Sequence, residues 1–331
     1  MAERAKHLDT STLKAFENAA AGHDGVLSDL AGELFIKPCT QAEVDFYQQT
    51  LIDHPDFAEL MPALMGTLSL GAPAQVVDST AVQEMLASTQ MQKDQPSKGT
   101  KITSETAVVL ENLEHGFTHP NVLDLKLGSC LYDPNTTQPE KAARLDKVAS
   151  ETTNGSLNFR IAGMKVWNGK SFDVYDKYYG RKFNAENVED GFATFFAGLS
   201  TGLKTDDAAE LLETIEAEVA KARHTLERLE SRMYSASLLI IYEGDSKTLD
   251  MLMGGESKTP RVQEKAPTLG EVKQSEEEEE EDDDPPAAYR VNLIDFAHAA
   301  WTPGQGKDEN VITGLKNIEK QMDQLISRLM E

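Results

Sequence analysis

One extended apolar segment carries both an acid and an amine, and it constrains the chain more than any other stretch: Pro120-Asn121-Val122-Leu123-Asp124-Leu125-Lys126-Leu127-Gly128. On a strand, residues two apart project from the same face, so an extended segment turns Asp124 and Lys126 into one cleft. Gly128 then permits a turn or a close backbone approach. An acid for ribose hydroxyls and an ammonium for phosphates suit phosphoryl transfer. The plainer reading is a solvated surface pair.

The surrounding pattern supplies sheets and helices for such a segment. Leu34 to Lys37 reads as an apolar strand ended by Pro38, which cannot donate to a ladder, and Ala42 to Gln49 as a helix. Leu60 to Ser69 is apolar around Pro62, Ser88 to Gly99 is a polar loop, and Val108-Val109-Leu110 is a buried strand. Pro139 to Ala149 is a short helix opened by proline. Apolar residues at spacings of three and four predict a long helix over Asp206 to Met233, and a final one bearing Val311, Leu315, Ile318, Met322, Leu325 and Leu329. Ser237 to Tyr242 and Tyr289 to Phe296 read as strands. Between them, residues 245–288 have too few large apolar side chains to order themselves, so a disordered acidic loop is expected between two paired strands. Residues 1–19 are polar, with one candidate helix from Ser11, and predict a flexible start. Strands early, helices later and a returning strand pair give an α+β fold in two lobes.

Composition narrows the partners. A chain of 331 residues can bury a sizeable core. Its net charge of −24 argues against a nucleic-acid footprint or an anionic membrane surface. Local clustering matters more than the total, however. Glu276 to Asp284 is one uninterrupted acidic run, whereas Lys126, Lys141, Arg144, Lys147, Arg160 and further cations crowd the stretch to Lys182. A polyphosphate can be held there despite the acidic whole. No apolar run approaches bilayer-spanning length, and Met1-Ala2-Glu3-Arg4 lacks the apolar core of a signal peptide. Cys39 and Cys130 are too few for a disulfide framework, which points to a reducing compartment.

Individual residues carry two readings each. Lys37 is either an edge-strand lysine that discourages aggregation or a point charge for phosphates. Lys141 and Arg144 share a helix face, as a solvated surface or as a phosphate grip. Arg160 holds either a core acid or a substrate phosphate. Asp295, at the end of an apolar strand, is costly unless paired or on a metal, and Mg²⁺ bound by a carboxylate and phosphate oxygens fits it.

The PxxxDxKxG pattern of Pro120 to Gly128 resembles the signature of the inositol polyphosphate kinases. Four further stretches agree in order: Leu34 to Lys37 with Glu43-Val44-Asp45-Phe46-Tyr47, Gly155 to Met164, Ser237 to Gly244, and Ile294-Asp295-Phe296-Ala297-His298. The resemblance runs from about residue 20 to the C-terminus. Gln138-Pro139-Glu140-Lys141 and Ser150-Glu151-Thr152-Thr153 are similar to the fungal multikinase branch.

This resemblance implies a bilobal, protein-kinase-like architecture: a small antiparallel β-rich N-lobe over 20–113, a larger mixed C-lobe over 114–331, and an inositol-phosphate-binding helical segment at about 134–154. It implies Lys37 on the nucleotide phosphates, backbone groups of Glu111 and Leu113 on adenine, Asp124 on ribose, and Lys126 between the γ-phosphate and the inositol phosphates. Lys141 falls on the family's substrate lysine, with Arg144 beside it. Asp295 falls on the metal-binding acid, with Ser237 near the metal, and His298 on a substrate-contacting histidine. The family often has two serines where this chain has Ala236-Ser237, so one hydroxyl remains. No His-Arg-Asp catalytic loop and no GxxxxGK[ST] P-loop occurs, which disfavours conventional protein kinases and P-loop enzymes.

The implied activity is ATP- and Mg²⁺-dependent phosphorylation of soluble inositol polyphosphates, from inositol 1,4,5-trisphosphate to tetrakis- and pentakisphosphates. The rivals are a hexakisphosphate kinase and a trisphosphate 3-kinase; the short stretch between Gly128 and Ser156 leaves little room for the inserted substrate domain of the latter. A scaffold role, in which the acidic run binds a basic protein, is the alternative of another class. A monomer located in nucleus and cytoplasm is expected.

Overall fold

The structure, a computed structural model, describes residues 13–16, 25–69, 106–254 and 287–331. The N-terminal part is one five-stranded antiparallel sheet of order β1-β2-β3-β5-β4, from β1 (Lys14–Ala15), β2 (Leu27–Ser28), β3 (Leu34–Cys39), β4 (Leu64–Ser69) and β5 (Thr106–Glu111). Two helices, α1 (Gln41–Asp53) and α2 (Pro55–Ala58), lie between β3 and β4. Helix α1 starts where Thr40 caps it, its side chain accepting from the Glu43 amide, which satisfies one orphan donor of the first turn.

Two expectations change here. The start of the chain is not wholly loose, since β1 pairs with β2, Leu13 is buried and Phe16 reaches Phe35. Strand β3 also runs through Pro38 to Cys39. Pro38 stays in register with Ala107 of β5, while β2 registers with β3 only at Ile36, so the strand continues past the proline on its β5 side. The polar stretch Ser88 to Gly99 lies outside the described residues.

The larger part is built on a second antiparallel sheet. In chain order its elements are β6 (Pro120–Leu127), α3 (Pro139–Ser150), α4 (Thr153–Leu157), β7 (Phe159–Trp167), β8 (Phe172–Tyr175), α5 (Lys177–Gly180), α6 (Glu189–Phe195), α7 (Ala197–Gly202), α8 (Thr205–Leu226), β9 (Ser231–Met233), β10 (Ser237–Glu243), α9 (Ser246–Gly254), β11 (Tyr289–Ile294), β12 (Ala299–Trp301) and α10 (Glu309–Met330). The sheet order is β11-β10-β6-β7-β8, and β9 with β12 makes a separate ribbon.

Alternation divides the sheet into two faces. Leu123, Leu125, Leu127, Leu238, Ile240, Phe159 and Ile161 are fully buried in the main core with α8 and α10. The stripe Val311, Leu315, Ile318 and Met322 of α10 is wholly buried, each side chain worth about 1.5–3 kcal/mol of transfer free energy. The opposite face carries Asp124 and Lys126. A bulge between β6 and β7 pairs Lys126 with Arg160 and Asp124 with Gly163.

The long helix ends at Leu226 rather than reaching Met233. Met233 is buried from strand β9, so its place in the helical repeat was coincidental. The segment after Asp245 is not wholly without structure: Asp245 accepts from the Thr248 amide and hydroxyl at the start of α9, which buries Leu249. Residues 255–286, with the acidic run, lie outside the described residues. Strand β11 stops at Ile294, one residue before Asp295 turns left-handed with φ +68°. Strands β10 and β11 do pair, as the sequence implied.

Candidate active site

Asp295 is the hub. Lys37 Nζ donates to its Oδ1 at 3.0 Å and Lys126 Nζ to its Oδ2 at 2.9 Å. A left-handed backbone is uncommon outside glycine, though aspartate tolerates it better than most, and such conformations concentrate at functional sites. Lys126 Nζ also donates to the carbonyl of Ser235 at 2.8 Å, another left-handed residue, with φ +59°. Lys37 donates in addition to Glu43 on α1 at 2.9 Å. Burial would lower the Lys37 pKa, but Asp295 and Glu43 outweigh it and hold it above the ordinary lysine value. Two ammonium groups and two carboxylates thus converge where β3, α1, β6 and the end of β11 meet.

A cleft opens from this point. Phe16, Phe35, Leu110, Val122, Leu239 and Ile294 give it apolar walls, and Glu111 to Glu114, Asp124 and Lys37 line the rest. Glu111 is the last residue of β5 and Leu113 lies in the connection to β6, with Leu113 buried. Glu111 uses its side chain for the fold: Oε1 accepts from the Ala63 amide and Oε2 faces Arg290. Asp124 is buried on the cleft floor. Such a cavity, apolar with a few convergent polar groups, is the usual form of a small-molecule site.

Cations mark the far side of Lys126. Ser237, Lys126 and Arg160 are register partners on three adjacent strands, so their side chains share the cleft face. Arg160 is buried, with Nε and Nη1 unpartnered. Burial, and then the neighbouring Arg181, push its pKa down to about 10 against the pull of Asp124. Gly180 lets Arg181 come close, since an added Cβ would lie 1.9 Å from the Ile161 carbonyl oxygen. Among the described residues no acid forms an ion pair with Arg160, and its unpartnered Nε and Nη1 fit the anion-holding reading. Lys141 and Arg144 are exposed on α3 and make no ion pair with a described residue. His298 is exposed; partial burial, then Lys141, push its pKa below the usual histidine value.

The donor set suits a hard divalent cation. Ser237 is fully buried and its Oγ has no partner, and it is opposite Ile294, the residue before Asp295. Among the described residues no cluster of three His, Cys, Asp or Glu could hold a metal. One carboxylate and one hydroxyl match an ion that takes its remaining oxygens from phosphates and water.

Sequence reasoning thus named Lys37, Asp124, Lys126, Ser237 and Asp295, which the fold brings together. It placed Glu43 only in a helix and did not give it a role. A glutamate in the first turn of the helix that follows the lysine strand was the available signal. Phe16, Phe35 and Glu114 were missed as cleft residues, because nothing local distinguishes them.

The sequence model described as inositol polyphosphate kinase matches residues 107–323. The chain is 32% identical to the inositol polyphosphate multikinase of Saccharomyces cerevisiae, covering 94% of this chain and 98% of that one. It is 33% identical to inositol hexakisphosphate kinase 3 of Mus musculus, over 64% of this chain and 48% of that one. The crystal structure of the S. cerevisiae inositol phosphate multikinase in complex with ADP and Mn²⁺ superposes with a TM-score of 0.64 at 28% identity, covering 89% of this chain and all of that one. Two antiparallel sheets, a cleft between them and a match across nearly the whole length agree: the chain belongs to the inositol polyphosphate kinase family.

Proposed function

We propose that the protein is an ATP- and Mg²⁺-dependent inositol polyphosphate multikinase that carries inositol 1,4,5-trisphosphate to tetrakis- and pentakisphosphates. The observation that carries this reading is the joining of Lys37, Lys126 and Asp295 at the inner end of an apolar cleft. Adenine would lie between Phe35, Val122 and Leu239 against the backbone of Glu111 and Leu113, and Asp124 would meet the ribose. Lys37 would bind the nucleotide phosphates and be held in place by Glu43. Lys126 would touch both the transferring phosphoryl group and the acceptor, neutralising charge and orienting the hydroxyl. Asp295, with Ser237 beside it, would hold Mg²⁺, whose role when bound is to offset charge on the phosphates. Arg160, Arg181, Lys141, Arg144 and His298 would hold the inositol phosphates, with 20–113 and 114–331 as the two lobes.

Near-complete coverage of a fungal multikinase, against about half of a hexakisphosphate kinase, supports multikinase over the latter. Incubation with tris-, tetrakis- and hexakisphosphates and chromatography of the products tests it. Tetrakis- and pentakisphosphates are expected, and consumption of hexakisphosphate alone would overturn the assignment. A monomer in nucleus and cytoplasm remains the expected state, readable by light scattering and by imaging a tagged chain.

A further inference from the structure

Lys165 has no place in the chemistry described above, yet it is one of the most deeply buried charges of the fold, at 2% exposure. It lies on β7 opposite Val122. Its Nζ donates to Glu114 Oε2 at 2.5 Å and sits 4.9 Å from the ring centroid of Phe172. Glu114 lines the cleft. The residues on either side of Leu113 are anchored to different parts of the molecule. On one side, Asn112 donates from its amide to the Glu33 carbonyl and from Nδ2 to the Gly32 carbonyl, both in the N-terminal part. On the other, Glu114 is held by Lys165. His119, five residues further on, stacks on Trp167 of the same strand, with ring centroids 3.8 Å apart. The amides of Thr118 and His119 are both taken by Glu243 on β10. Within the crossing, the Glu114 amide donates to Asn112 Oδ1 at 3.1 Å and the His115 amide to the Asn112 carbonyl, so Leu113 sits in one short turn held at one end by the N-terminal part and at the other by Lys165.

We propose that the Glu114–Lys165 pair is a strap that fixes the C-lobe end of the crossing segment and so sets the backbone of Leu113 for the nucleotide base, making both positioning residues for nucleotide binding. The inference rests on the nucleotide-cleft reading given above. A buried, hydrogen-bonded pair holds one geometry, because breaking it leaves a charge uncompensated in a poorly solvated place. Misplacement on the ångström scale is costly for a pre-organised site. Phe172 covers the ammonium, and the Trp167–Phe172 contact at 5.0 Å closes the pocket around it.

The test compares the wild-type full chain with Lys165→Met, Lys165→Arg and the double variant Glu114→Gln/Lys165→Met. The readouts are ADP binding by calorimetry, steady-state kinetics in both substrates, and thermal unfolding. In folded Lys165→Met we expect ADP affinity to fall and KM for ATP to rise about tenfold, while kcat and KM for the inositol phosphate change less than about threefold. Lys165→Arg should recover most of the loss. If Lys165→Met does not fold, the double variant, which leaves no unpaired charge, decides on the same readouts. Unchanged ADP affinity in a folded variant overturns the proposal, as does an equal loss in both substrates, which a merely structural role would give. A wild-type chain that binds ADP but phosphorylates no inositol phosphate would sink the kinase assignment and leave the strap measurable by calorimetry.

Discussion

Lys126 and Asp295 are 169 positions apart in the chain and meet at 2.9 Å. The contact closes a line from Glu43 through Lys37 and Asp295 to Lys126, joining α1 and β3 to β6 and the end of β11. The same four groups therefore tie the N-terminal part to the larger one at the inner end of the cleft.

On the proposed reading, replacing Lys126 by alanine removes a charge that acts on the transferring group. Loss of one such electrostatic contact commonly lowers the rate by about 10²–10³-fold. Steady-state assays of Lys126→Ala should show that drop in kcat, with ADP binding nearly retained.

Arg160→Met separates binding from folding. The guanidinium is buried beside Arg181 with two nitrogens unpartnered, so methionine should leave the melting temperature unchanged or higher. A charge-assisted hydrogen bond contributes about 1.5–3 kcal/mol, which predicts a rise in KM for the inositol phosphate of roughly 12- to 150-fold. A lower melting temperature with unchanged KM would show that the arginine serves the fold instead.

His298 should titrate below the usual histidine value of 6.5, since burial and Lys141 both disfavour its charged form. The sign follows for stability. A depressed folded pKa contributes stability that is present above pH 6.5 and lost as pH falls through the folded value. NMR titration of the ring should show the low midpoint, and Lys141→Ala should move it upward.

Phe16→Ala tests the cleft's aromatic edge. Phe16 meets Phe35 edge-on, with centroids 5.1 Å apart, at the cleft wall. Aromatic contacts of this kind are worth about 0.5–1.5 kcal/mol beyond area, so ADP should bind roughly 2- to 12-fold more weakly by calorimetry.

The strands were legible because apolar runs and period-two alternation are local properties. Val108 to Leu110 and Ser237 to Tyr242 appear where they were read. Helix ends were less so: a side chain at Met233 satisfies the core equally from a helix or a strand, and only the pairing of β9 with β12 distinguishes them. The left-handed turn at Asp295 and the fold of α9 depend on hydrogen bonds that the spacing does not announce.

Residue order alone fixed Asp124 and Lys126 on one strand face, the apolar faces of the last helices, and the lysine and acid that a phosphate-handling cleft needs. Tertiary structure decided which distant groups meet: Glu43 on Lys37, Arg181 beside Arg160, and Lys165 on Glu114. Strict alternation would put Arg160 and Lys165, five residues apart, on opposite faces of β7. The bulge against β6 turns both toward the cleft, because one extra residue in a strand reverses the parity of everything after it, and parity across a bulge is set by the partner strand.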